Sequence, residues 1–179
     1  MKQVGIIMKK VLCLFGIVFL LGSCEEELGN YYFEFDTVDW YTIDIDEGDV
    51  FALEDQLNTL ENERLKLDLL INDIPNSVTD TTFIAKLETV GFTKTTINDS
   101  QKINTLREIF REKPHEDVLA AACIAVYRDI LIFRKQGKII GTSKVCFDCN
   151  QSQIHGTEVN TSYFGQSGDY GKLARLLHE

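Results

Sequence analysis

The sequence predicts an α+β domain: an antiparallel sheet that includes a C-terminal hairpin, with helices packed on one face. Three observations predict it. Two apolar, β-branched runs in "IAVYRDILIFRKQGKIIGTSKVCF" flank Gln136-Gly137, a hairpin signature. "DWYTIDID" alternates, with Tyr41, Ile43 and Ile45 facing one way and Thr42, Asp44 and Asp46 the other, as in a half-buried strand. Between and after these lie stretches whose apolar residues recur at three and four, the period of an amphipathic helix.

The elements follow in order. "YYFEFDTVDW" is aromatic-rich and reads as an edge strand with Phe33 and Phe35 on one face. Residues 49–73 read as one long helix, with Leu53, Leu57, Leu60, Leu67, Ile71 and Ile74 recurring as its stripe. Asp80 caps a second helix carrying Phe83, Ile84, Leu87 and Val90, stopped by Gly91. "FTKTTI" is a short strand. Asp99 or Ser100 caps a third helix carrying Ile103, Leu106, Ile109 and Phe110, ended before Pro114. In the hairpin, apolar residues fall on both faces of Ile130 to Phe133, which places that strand inside the sheet with something packed on each side, at least in part. "TEVNTSYF" adds a further strand, and a last helix carries Tyr170, Leu173, Leu176 and Leu177.

The start of the chain has a different character. In "MKQVGIIMKKVLCLFGIVFLLGSCEEE", Lys9 and Lys10 precede an apolar run, Val11 to Leu21, that is too short to span a bilayer. Leu21-Gly22-Ser23-Cys24 then resembles the lipobox of bacterial lipoproteins. The resemblance implies cleavage before Cys24, palmitate or similar chains on that cysteine, and anchoring to a lipid bilayer. The acidic run Glu25-Glu26-Glu27 resembles the surface-export signal of Bacteroidetes-type lipoproteins. Together these imply an outer-membrane, lipid-anchored protein facing the periplasm or the cell surface. Asp36-Thr37-Val38 and Asp80-Thr81-Thr82 resemble the short O-glycosylation pattern of secreted proteins from the same bacteria. The expected organisation is a signal peptide over 1–23, an acidic tether over 24–30 and one domain over 31–179.

Of 179 residues, 28 are acidic and 18 basic. Without residues 1–23, which hold three lysines and no acid, 156 residues remain with a formal charge of −13. Such a chain repels nucleic acid, which is discounted as a partner. Between Cys24 and Glu63 stand fourteen acids and no Lys or Arg. There Asp44, Asp46 and Asp55 match the first, third and twelfth positions of a calcium loop. Gly48 and Asp49 break that pattern, because the loop needs glycine sixth. "GQSGDYGK" lacks the spacing of a phosphate loop and of a nucleophile elbow. His115-Glu116 lacks the second histidine of a zinc protease.

Three cysteines remain in the domain: Cys123, Cys146 and Cys149. Export favours their oxidation. Counting back from the hairpin, a three-residue loop puts Cys123 opposite Cys149, and a two-residue loop puts it opposite Asn150. A Cys123–Cys149 disulfide would close a loop of some twenty-five residues and stabilise by about 3 kcal/mol. A Cys3His zinc site with His155 is the alternative closure. A thiol enzyme using these cysteines is the third reading, opposed by the non-helical "NQSQIHGTEVN" after the pair and by the absence of a proline there. Cys123, Tyr127-Arg128, "GKIIG" and "VCFDC" together resemble an arrangement in lipoproteins of the same bacterial type, which implies no particular activity. The expected function is therefore a non-enzymatic interaction or binding module with a protein or glycan partner. No cofactor is assigned with certainty; zinc is the one considered.

Overall fold

The computed structural model describes residues 29–55, 60–115 and 122–179. The expected signal peptide, Cys24 and most of the acidic tether lie outside the described residues. Among the described residues five strands form one sheet: β1 (Thr37–Thr42), β2 (Thr93–Ile97), β3 (Asp129–Lys135), β4 (Lys138–Cys146) and β5 (Gln151–His155). Their spatial order is β2-β1-β3-β4-β5, and every neighbouring pair is antiparallel. Among the described residues four α-helices accompany them: α1 (Glu47–Asp55), α2 (Glu61–Ile71), α3 (Ser100–Ile109) and α4 (Asp169–His178). The fold is α+β, as the sequence predicts.

The helices divide between the two faces of the sheet, where the sequence led to one. Alternation along β3 decides this. Leu131 and Phe133 point into one apolar cluster with Ile103, Leu106 and Ile109 of α3 and Leu173 and Leu177 of α4. Ile130 and Ile132 point into a second cluster with Val50 of α1 and Leu67, Leu69 and Leu70 of α2. All four of these β3 residues are wholly buried. A strand covered on both faces loses the polar/apolar alternation of a half-buried one. β1 obeys the same rule. It starts two residues before "DWYTIDID" and ends four residues short of its end, buries Val38 and Trp40 on one side and Tyr41 on the other, and stops before Asp44 and Asp46.

Phe33 and Phe35 are not on an edge strand. Their rings enter the first cluster, Phe33 stacked on Phe133 at 4.5 Å and Phe35 tilted against it at 5.0 Å. Phe33 also explains Gly141, where any side chain would collide with that ring. The expected 49–73 helix is interrupted: Leu60, just before α2, is non-helical and exposed, so it belongs to no apolar stripe. The second expected helix tightens into two 3₁₀ turns, Ile84–Lys86 and Glu88–Val90, ending at Gly91 with φ 103°. β5 lies at Gln151–His155 and not over 157–164, because the chain turns at Gly156, φ 99°, where only glycine is relaxed.

Two expected features rest on local chemistry. At the hairpin tip Gln136 and Gly137 both have positive φ, 50° and 78°, as a tight two-residue turn requires. At the start of α3, the Asp99 carboxylate accepts hydrogen bonds from the backbone N–H of Gln101 (3.0 Å) and Lys102 (2.9 Å). Asp99→Ala is therefore expected to cost about 1 kcal/mol, read as a lower urea midpoint with an unchanged slope.

Candidate functional site

The cysteines meet where β4 ends. The turn residues 147–150 follow directly on Cys146, and the chain then returns as β5. Cys123 lies six residues before β3, outside the ladder. The Cys123 and Cys149 sulfurs are at disulfide-bonding distance, with Cα atoms 6.1 Å apart, inside the usual range for a bridge. The expected pair is present, by a route the hairpin count did not contain. Lys135 pairs with Lys138, but a bulge then shifts Phe133 opposite Gly141. Continued, that register would set Cys123 opposite Gln151, whose side-chain amide does donate to the Cys123 carbonyl at 3.4 Å. The turn after β4 is what carries Cys149 back to Cys123.

Cys146 is a free, buried thiol packed with Tyr127 and Cys149. All three cysteines line one hollow of about 180 Å³, together with Val126, Arg128 and Asp148. Arg128 donates from Nη1 to Asp148 Oδ2 at 2.8 Å and from Nε to the Ile45 carbonyl at 2.8 Å.

His155 does not join this group. It pairs with Thr142, while Gln151 pairs with Cys146. Four residues of strand separate His155 from Gln151, about 13 Å at ~3.3 Å per residue. Burial, and after it the Lys144 charge, holds His155 below its ordinary pKa. The Cys3His zinc set is thus not assembled. Among the described residues no group of three or more His, Cys, Asp or Glu side chains is placed to hold a metal ion. The calcium candidates fare alike. Asp44 and Asp46 line an open hollow with Asp49 of α1, but Lys66 lines it too and supplies the opposite charge. Asp55 ends α1, and its side chain lies outside the described residues.

Among the buried charged groups that sequence reasoning missed are Lys144, Asp129 and Asp39. Lys144, in mid-β4, is wholly buried. Its Nζ donates to the carbonyls of Leu69 (3.0 Å) and Asn72 at the C-terminal end of α2, and lies 4.6 Å from the Tyr127 ring centroid. Those carbonyls have no partner within the helix, and a cation there complements its dipole. Burial nonetheless lowers the lysine pKa to about 7, with Asp73 and Asp68 pulling it back up. Asp129 accepts from Trp40 Nε1 at 2.8 Å and lies 3.2 Å from His178 Nε2. Burial raises its pKa against Trp40 and His178. His178 stands edge-on to Trp40 and Phe147, so this pair ties the end of α4 to the sheet. Asp39, buried in β1, meets Arg134 at 2.8 Å and Lys94 at 3.0 Å. A charged residue inside an apolar run is the one signal that marked Lys144 and Asp39.

Among the described residues no helix is long and apolar enough to cross a membrane. No protein-family model matches the chain, and neither a curated protein nor a solved structure matches it.

Proposed function

We propose that the chain is an exported bacterial lipoprotein, held to the outer membrane through acylated Cys24, whose folded part is a binding module and not an enzyme. The observation that carries this reading is Leu21-Gly22-Ser23-Cys24, directly after an apolar core and directly before three glutamates. Each methylene of an attached chain contributes about 0.8 kcal/mol on entering the bilayer, so several chains anchor stably. The Cys123–Cys149 pair supports the reading, because disulfides persist in exported proteins and are rare in reducing compartments. The strongly acidic composition disfavours nucleic acid and leaves a protein or a glycan as the partner.

The test is fractionation of the full chain and of Cys24→Ala, with metabolic labelling by a fatty-acid analogue. The parent is expected in the outer-membrane fraction with label, and the variant in the soluble fraction without it. Label and membrane partition that survive in Cys24→Ala would sink the proposal.

A further inference from the structure

The hollow at the end of β4 holds one thiol more than a structural bridge needs. Cys146, Cys149 and Cys123 all line it, the first two buried and the third exposed. Cys146 and Cys149 stand three apart around a turn, a spacing at which Cα atoms approach within about 7 Å, near the span of a disulfide. Either sulfur, Cys123 or Cys146, can therefore serve as partner to Cys149.

We propose that Cys146 is a resident exchange thiol that displaces Cys123 from Cys149 and frees Cys123 to capture a disulfide-bearing partner. In the first step Cys146 loses its proton to solvent and its thiolate attacks Cys149 Sγ. The Cys146–Cys149 bond forms, the Cys123–Cys149 bond breaks, and the electron pair leaves on the Cys123 sulfur. One disulfide replaces another, so no oxidant or reductant is consumed. In the second step the Cys123 thiolate attacks a disulfide on another molecule. A mixed disulfide forms and one partner thiolate departs.

Three features fit this direction of exchange. The leaving sulfur is the one at the surface, so the product thiol can meet a partner. Cys123 lies outside the strand ladder, so its release unpairs no backbone hydrogen bond of the sheet. Its neighbour Ile124 is 63% exposed, one of two large apolar side chains so placed among the described residues, and offers an apolar contact beside the reactive sulfur. The inference does not depend on lipidation of Cys24.

The test uses the full chain in detergent with oxidised glutathione as the probe, quenched in acid, alkylated and mapped by peptide mass. The expected product carries glutathione on Cys123 and a Cys146–Cys149 bridge. Cys146→Ser, and Cys146→Ala as a second form of the same change, are expected to slow capture at Cys123 by at least about tenfold, since no internal thiolate remains to open the bridge. Both variants are first checked by mapping to retain the Cys123–Cys149 bond. Capture at an undiminished rate in both variants would overturn the proposal. So would a parent protein in which Cys123–Cys149 stays intact, whether glutathione is absent or sits on Cys146. Loss of membrane fractionation in Cys24→Ala, with exchange unchanged, would bear on the anchor alone.

Discussion

Between pH 7 and pH 9.5 the folded chain is expected to gain about 3 kcal/mol of stability, and Lys144→Met is expected to erase that gain. The cause is the wholly buried Lys144, whose pKa lies at about 7 against an ordinary 10.5. A lysine with a lowered folded pKa binds fewer protons folded than unfolded throughout that interval, so stability rises with pH there. Below about 7 both states are protonated and the full cost of the buried charge stands, about 4–5 kcal/mol at ~1.4 kcal/mol per pH unit. Above 10 the raised pKa values of Tyr127 and of Tyr170, about 12, reverse the slope, because the unfolded chain then ionises first. The working window is therefore 7 to 9.5. Urea unfolding at both ends, at fixed ionic strength and in a Cys146→Ser background that stops thiol exchange, measures the effect. Lys144→Met keeps an unbranched chain of similar volume but carries no titrating group. A parent as flat with pH as this variant would show that Lys144 keeps its proton on folding.

The hairpin and the Asp99 cap were legible because each is decided within a few residues: Gln136-Gly137 must take positive φ, and Asp99 must meet two free N–H groups. What failed was decided by layers. That both faces of Ile130 to Phe133 are covered is legible in their unbroken apolar run, but which helix covers which face depends on where α2, sixty residues earlier, lands, and no local pattern records that. β5 was missed because "QSQIH" is mostly polar. It pairs along one side only, as an edge strand, and its residues are half-buried at best, so β-propensity is weak there. Lys144 was missed because a lysine reads as surface, and its two acceptors are backbone carbonyls of α2, which leave no mark in a sequence. The candidate site divides in the same way. Cys123 and Cys149 were paired by hairpin geometry even though the register was off, since a turn tolerates an error of a residue or two. His155 was assigned to the cysteines by sequence proximity, and a strand extends that proximity into separation.

Removing the Cys123–Cys149 link is expected to lower stability by about 3 kcal/mol, as much as the pH effect. The bridge spans 26 residues of sequence and so removes a long loop's freedom from the unfolded chain. In the folded state it ties the segment that enters β3 to the turn between β4 and β5. Tyr127 and Val126 of that segment pack on opposite sides of this entry, Tyr127 with Cys146 and Val126 with the α2 cluster. Tyr127 also donates its N–H to the Leu70 carbonyl at 2.7 Å and covers the Lys144 ammonium. Loss of the bridge therefore loosens the lid over the buried lysine. Cys123→Ser in the Cys146→Ser background isolates the effect, because Cys149 then has neither domain cysteine left to pair with. The expected readout is a melting temperature lowered by about 6–12 °C, on the scale of 2–4 °C per kcal/mol for a chain of this length. The pH gain between 7 and 9.5 is expected to shrink in the same variant, since water reaching Lys144 relieves part of its desolvation. An unchanged melting temperature would mean that the sulfurs, although adjacent, add no constraint to the fold.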